Sequence, residues 1–156
     1  MRSSAASLPD NELQVLEARR LLPELRDTAE SLQRYLAELE SVLAKPSFDA
    51  AALTSVRLKL AGLRLTRGPL VVRVHDLLSG NVGEREDRLL AELRDSHLRL
   101  LKAATAHTAR WSLAAIEEDW EEYRAQTRNL MRSWITKANH EQRLIIPLVQ
   151  MIARQG

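Results

Sequence analysis

The sequence predicts an all-α fold, with four helices in an antiparallel up-down-up-down bundle. Apolar residues recur in alternating steps of three and four along most of the chain, a spacing that places them on one face of a helix. No stretch alternates apolar and polar residues as a half-buried strand does. Only five prolines and five glycines interrupt the 156 residues, so the helices should be long and their connections short, which favours antiparallel neighbours.

The first helix is expected to begin near Pro9, because proline suits the first turn of a helix. Pro23 lies inside this helix and predicts a kink or a restart. The apolar residues that should face the core are Ala18, Leu22, Leu25, Ala29, Leu32, Leu36, Leu39 and Leu43. We expect residues 1–8 to form a flexible N-terminus and residues 9–154 to form one domain.

The boundaries of the other helices follow from turn and capping residues. Ser47 can cap a second helix at about residues 49–78, within which Gly68-Pro69 predicts a break. The glycines at 80 and 83 mark the next loop, and a third helix should occupy about residues 84–110. The fourth helix should begin near Asp119, because a negative charge suits the N-terminus of a helix.

Composition narrows the class of function. The chain has 23 basic and 21 acidic residues, and a net charge of +2 is weak support for nucleic acid as a partner. There is no cysteine, which excludes disulfides and Fe–S clusters. No apolar run could span a membrane and no signal-peptide pattern is present, so the cytoplasm is the expected compartment. Of the basic residues 19 are arginines, a bias associated with GC-rich bacterial genomes.

The apolar face of the fourth helix contains two charges. Lys137 and Glu141 lie on it, one helical turn apart, and a buried charge costs free energy unless it is paired or coordinated. Either the two form a buried pair, with His97 of the third helix hydrogen-bonded to the glutamate, or both side chains bend outward to water. The whole face consists of Trp120, Tyr123, Thr127, Leu130, Trp134, Lys137, Glu141, Leu144, Leu148 and Met151.

The second half of the chain resembles a hemerythrin-type (HHE) domain. The stretches DSHLRLLKAATAH and EEDWEEYRAQTRNLMRSWITKANHEQRLIIPLV follow that family's order of a His before a Leu-rich turn, an Asp-Trp, a His-x-x-x-Glu and a proline. His97 matches the first His, Glu141 the Glu and Pro147 the proline. Lys137 stands where the family has its second His. The resemblance covers about residues 84–151, and residues 19–78 in outline.

A comparison within the chain extends this resemblance to the first half. When Pro69 is superposed on Pro147, Leu-Val follows both prolines, and a lysine precedes each by ten residues. These lysines are Lys59 and Lys137, and the position of Glu141 becomes Leu63. Taking Ser31-Leu32 against His97-Leu98 extends the comparison loosely to the first helix. Two related helix pairs are what a hemerythrin-type bundle implies.

The resemblance implies a di-iron site, but most of its ligands are missing here. That site needs several His nitrogens and two bridging carboxylates, whereas the matching positions are Ser31, Lys59, Leu63, His97, Lys137 and Glu141. Only two of the six could ligate a metal, and a charged ammonium repels a cation. We therefore expect no metal and no other cofactor. We interpret His97, Lys137, Glu141 and Lys59 as a vestigial site or buried polar cluster, with an ammonium replacing the positive charge of the metal.

The second helix carries a basic patch of Arg57, Arg64 and Arg67. No acidic residue stands between Asp49 and Asp76, and the three arginines fall within about 80° of one another around a helix. The patch either binds an acidic partner or a phosphate, or is a solvated face paired with acidic neighbouring helices.

Other residues suggest packing rather than chemistry. His107 lies on the apolar face of the third helix as a satisfied core histidine would, and Trp111, Trp120 and Trp134 suit the core and the helix ends. The stretch SVRLKLAGLRLTRG is similar to a histidine-phosphotransfer helix, but Val56 stands where the phosphorylated His would be.

These observations predict a metal-free hemerythrin-like bundle that is not an enzyme. We expect a small cytoplasmic regulatory or protein-interaction module, with a protein partner or a second copy of itself and no membrane. A hemerythrin-type di-iron oxygen or redox sensor, and a pseudo-histidine-phosphotransfer docking module, are the alternatives.

Overall fold

The computed structural model describes residues 9–155, and most of them are helical. The helices are α1 Asp10–Leu43, α2 Ala50–Leu78, α3 Glu84–Arg110, α4 Leu113–Glu118, α5 Trp120–His140, a π-helical turn Glu141–Ile145, and α6 Ile146–Ala153. No strand occurs among residues 9–155, so the predicted all-α class is confirmed. The predicted flexible N-terminus, residues 1–8, lies outside the described residues. No helix of the described chain is both long and apolar enough to cross a membrane.

Capping side chains determine where two of the helices begin. α2 starts after Asp49, whose carboxylate accepts a hydrogen bond from the Ala52 amide at 3.0 Å, so the prediction of Ser47 as the cap was wrong. Asp119 caps α5 in the same way by accepting from the Glu122 amide at 3.2 Å. Both carboxylates satisfy amides that lack a partner inside the helix.

The prolines do not interrupt the helices that contain them. α1 continues through Pro23, and α2 continues through Gly68-Pro69, where the sequence predicted a break. A proline removes one backbone hydrogen bond. Residues on both sides of each proline are buried, as Leu21 and Leu25 are around Pro23, so tertiary packing holds the helix where the local signal would end it.

Two apolar cores fill the two ends of the molecule. One contains Leu32, Leu36, Leu39, Val42, Leu43, Leu53, Val56, Leu63, Trp111, Ile116, Trp120, Tyr123 and Met131. The other contains Ala18, Leu21, Leu25, Leu70, Val74, Leu77, Leu78, Leu90, Ile145, Val149, Ile152 and Ala153. On each long helix, a buried polar residue lies between the residues of the first core and those of the second. These polar residues form a layer that separates the two cores. This layer contains Thr28, Arg67, His97, Lys137 and Glu141.

The π-helical turn shifts the buried face at the end of the chain. A π turn contains one more residue than an α turn, so every later side chain rotates around the helix. Pro147 follows this turn and has no amide to donate to the Arg143 carbonyl, which favours a wider turn here. The sequence placed Leu144, Leu148 and Met151 in the core, but the buried residues are Ile145, Val149 and Ile152.

Candidate functional site

A buried ion pair between α2 and the π-helical turn occupies the centre of the polar layer. Arg67 Nη2 donates to both carboxylate oxygens of Glu141, at 2.6 Å to Oε1 and 2.5 Å to Oε2. Arg67 Nη1 donates to Thr28 Oγ1 at 2.9 Å, and that hydroxyl donates to the Leu25 carbonyl at 3.2 Å. Arg67 and Glu141 are each 5% exposed, so water contributes little to their solvation.

The partner of Glu141 differs from the one that the sequence suggested. The predicted partner was Lys137, but the ion pair is made by Arg67, which comes from a facing helix. A guanidinium carries several donors in a fixed plane, and can bind a carboxylate and a hydroxyl at the same time. The sequence contains a signal for this role, because Arg67 follows Leu63 by four residues and precedes Leu70 by three, the spacing of a buried face.

Lys137 is buried beside the ion pair without joining it. Its Nζ lies 5.1 Å from the centroid of the Trp134 ring, a cation–π distance. Burial lowers the pKa of Lys137 to about 8, the Glu141 charge acts to raise that pKa, and the Arg67 charge lowers it. The polar layer therefore holds two cationic side chains around one carboxylate.

His97 lies on α3 in the same layer, with its ring edge-on to Trp134 at a centroid distance of 6.3 Å. Its Nδ1 is buried and has no hydrogen-bond partner among residues 9–155. The predicted bond to Glu141 is not formed. Burial, and then the charges of Lys137, Arg67 and His75, lower the pKa of His97 to about 4, so its ring is neutral at pH 7.

His75 lies beside this layer, in a position that sequence reasoning did not predict. It is buried on α2, and with His97, Lys137 and Glu141 it lines a cavity of about 10 Å³, close to the smallest that holds a water molecule. Lys59 does not belong to the cluster: it is exposed, and its Nζ lies 2.9 Å from Glu38.

The carboxylate of this layer is bound by Arg67 and is not a free ligand. Both oxygens of Glu141 accept hydrogen bonds from Arg67. Within residues 9–155, no three His, Cys, Asp or Glu side chains converge in a way that could hold a metal ion.

The three arginines of the predicted basic patch line a larger cavity, of about 380 Å³, between α2 and α3. Arg67 is buried, while Arg57 and Arg64 are half-buried. Arg57 Nη2 donates to the Trp111 carbonyl at 3.2 Å. Burial, and then the charge of Arg57, lower the pKa of Arg64. The patch is therefore the wall of a cavity and not a flat solvated surface.

Aromatic residues close one end of this cavity. His107 Nε2 is hydrogen-bonded to Thr127 Oγ1 at 2.9 Å, and its ring stacks on Tyr123 at 5.4 Å. Trp111 and Trp120 are buried beside them, and their indole nitrogens donate to Gln126 and to the Lys45 carbonyl. These contacts are those of satisfied core residues.

No family model, curated protein or solved structure matches the chain. The fold and the site therefore define the class of protein. It is an all-α protein with a buried arginine–glutamate pair and a cavity lined by arginines.

Acid should destabilise the protein through His97. Its pKa is about 4 in the folded protein against an ordinary value of 6.5, so between these values the unfolded chain binds more protons. The stabilisation from the neutral ring is complete above about pH 6.5 and is lost as the pH falls towards about 4. Burial also lowers the pKa values of His75 and His107, which act in the same direction.

Melting temperatures between about pH 7 and about pH 4 test this expectation. The loss on acidification should be smaller in His97→Gln than in the parent. His140→Gln is the control, because His140 is exposed, and it should lose as much as the parent. Equal losses in His97→Gln and the parent would mean that the folded protein accommodates the protonated His97 ring.

Proposed function

We propose that this chain is a metal-free relative of the hemerythrin-type bundles and acts by binding another protein. It would be a small cytoplasmic regulatory or interaction module and not an enzyme. The four bundle helices would be α1, α2, α3, and α5 with its continuation into α6, in up-down-up-down order. The likeness of residues 84–151 to that family, and the central position of Glu141, support this assignment.

The observation that carries the proposal is the closed Arg67–Glu141 pair. To bind a metal, Glu141 would have to release Arg67 and leave a guanidinium unpaired in the interior, which costs several kcal/mol. Lys137, buried beside the pair, would also repel a cation. The carboxylate of this centre is already bound by Arg67, so we place the function on the surface.

The outer side of α2 offers such a surface. Leu58, Leu65 and Val72 are 69%, 80% and 54% exposed, although all three are apolar. They are seven residues apart, so they form an apolar stripe that extends about 21 Å along the helix. Exposed apolar stripes mark protein–protein contacts, so the partner should present an apolar surface of its own.

A charge placed in the stripe tests the interaction. Leu65→Glu should weaken binding of the partner at least about tenfold, equivalent to about 1.4 kcal/mol, because it removes apolar contact and buries a charge in the interface. Ile135→Glu is the matched control, since Ile135 is also exposed but lies on α5. Proteins captured by the parent are titrated with the parent and with each variant, and the affinities are compared. Equal affinity for Leu65→Glu and Ile135→Glu would remove α2 as the interface.

Metal content separates the proposal from a hemerythrin-type di-iron sensor. After dialysis the purified protein should contain no stoichiometric iron, manganese or zinc, because the central carboxylate is already bound by Arg67. Elemental analysis measures this, together with the absorption band of an oxo-bridged iron pair. One metal ion per chain that survives dialysis would refute the metal-free proposal.

A further inference from the structure

The cavity between α2 and α3 has the size and walls of a small-molecule site. Its volume of about 380 Å³ falls within the range of about 300–1,000 Å³ found for such sites. Its walls are mainly carbon, with Leu36 of α1, Leu63 of α2 and Leu130 and Met131 of α5 among them. α2 and α3 pack sparsely on each other, which leaves one side of the cavity open.

The charge of this cavity is positive and partly uncompensated. Its lining residues include Arg57, Arg64 and Arg67, and none of them is Asp or Glu. Glu141 neutralises Arg67, and the Trp111 carbonyl accepts a hydrogen bond from Arg57. Arg64 has no hydrogen-bond or ion-pair partner among residues 9–155, yet it is half-buried. A half-buried guanidinium beside a second one favours an anion that can bridge them.

His97 adds a polar atom to the walls between this cavity and the small one beside Lys137 and Glu141, because its side chain lines both. It is only 7% exposed, and no group of residues 9–155 satisfies its buried Nδ1. Buried polar atoms of folded proteins are almost always hydrogen-bonded, so this nitrogen is open to a water molecule or to a polar group of a ligand.

We propose that the α2/α3 cavity binds a single-chain fatty carboxylate, with the carboxylate at Arg64 and Arg57 and the acyl chain along the apolar walls. Arginine binds a carboxylate through two parallel donors, which suits a monoanion at the open side. The apolar walls offer few donors for a polyphosphate or a sugar, so the body of the ligand must be hydrocarbon.

The site is placed to regulate the proposed interaction surface. Leu58 lines the cavity and also belongs to the exposed stripe with Leu65 and Val72. An acyl chain that covers Leu58 would change the apolar area available to a protein partner. This role as an effector rests on the proposed function, whereas binding of the carboxylate is measured without any partner, so either idea can fail alone.

Titration with dodecanoate below its micelle concentration tests the site, with Trp134 in the cavity wall as the fluorescent reporter. The parent should bind one dodecanoate per chain. Dodecanol has the same chain without the charge, and it should bind at least about tenfold more weakly. Arg64→Gln should weaken dodecanoate binding to a similar extent. Arg73→Gln, a charge change at an α2 residue that pairs with Glu17 outside the cavity, should bind as the parent does.

Three results would overturn the proposal. The first is the lack of saturable dodecanoate binding to a folded parent protein. The second is binding that does not depend on charge, shown by dodecanol binding as tight as dodecanoate or by equal affinities in Arg64→Gln and Arg73→Gln. The third is binding to phosphatidylglycerol vesicles that dodecanoate does not displace, which would assign the arginines to a membrane surface. Ala61→Phe adds bulk to the cavity wall without changing its charge. This variant should bind dodecanoate more weakly than the parent, which would place the dodecanoate inside the cavity.

Discussion

Replacing Glu141 with leucine should destabilise the protein by about 3–5 kcal/mol. The change leaves the Arg67 guanidinium in the interior without its carboxylate, close to the second positive charge of Lys137. An unpaired buried charge keeps its desolvation cost and loses the attraction that offset it. Chemical denaturation of the parent and the variant measures the difference in the free energy of unfolding.

A double-mutant cycle separates the ion pair from the packing of its side chains. Arg67→Met alone should cost a similar amount, but Arg67→Met with Glu141→Leu should recover much of the loss, because an apolar pair can replace a buried ion pair. The control is the exposed pair of Lys59 and Glu38, where Lys59→Met should cost less than about 1 kcal/mol. If Glu141→Leu costs as little as Lys59→Met, the central pair is solvated.

Lys137→Met distinguishes the observed pairing from the one that the sequence suggested. A Lys137–Glu141 pair would make this change as costly as Glu141→Leu. In the structure Glu141 is bound by Arg67, and burial outweighs the attraction of Glu141 for the ammonium. Lys137→Met should therefore cost far less than Glu141→Leu.

Leu21→Ala should destabilise the protein by about 2–5 kcal/mol, the usual cost of removing a leucine from a packed core. Leu21 is completely buried, whereas its neighbour Leu22, which the sequence placed in the core, is only partly buried. Leu22→Ala is a matched control because it makes the same change to helix propensity one position away. Leu22→Ala should lower the free energy of unfolding clearly less than Leu21→Ala does. Chemical denaturation of both variants measures the two losses, and equal losses would contradict the register of α1.

The sequence predicted some features of this site and missed others for identifiable reasons. The bounds of α3 were predicted at residues 84–110, because charged residues, a glycine and a regular spacing mark them locally. The sequence placed His97, Lys137 and Glu141 at one height but left open whether the two charged side chains are buried or bend outward to water, and the structure buries all three. Lys59 was grouped with them by internal similarity, but its position on α2 faces Glu38 and solvent.

Residues whose role depends on a facing helix were harder to predict. Arg67 was assigned to a surface patch because three arginines share one side of α2, and that side proved to line a cavity. Thr28 joins the layer and His75 lies beside it through contacts with other helices, which the spacing within one helix does not reveal.

The sequence by itself determined that the chain is helical and that charges interrupt its apolar faces, because periodicity and charge are properties of each segment alone. Only the tertiary structure decided that Glu141 pairs with Arg67 and not with Lys137, because that choice depends on the distance between two helices. It also decided that α2 continues through Pro69, and that the π-helical turn at Glu141 moves Ile145, Val149 and Ile152 into the core. The first outcome depends on the packing energy of many residues, which exceeds the local preference of Gly68-Pro69 to end a helix. In the second, Pro147 favours the wider turn locally, and packing decides which side chains are buried after it.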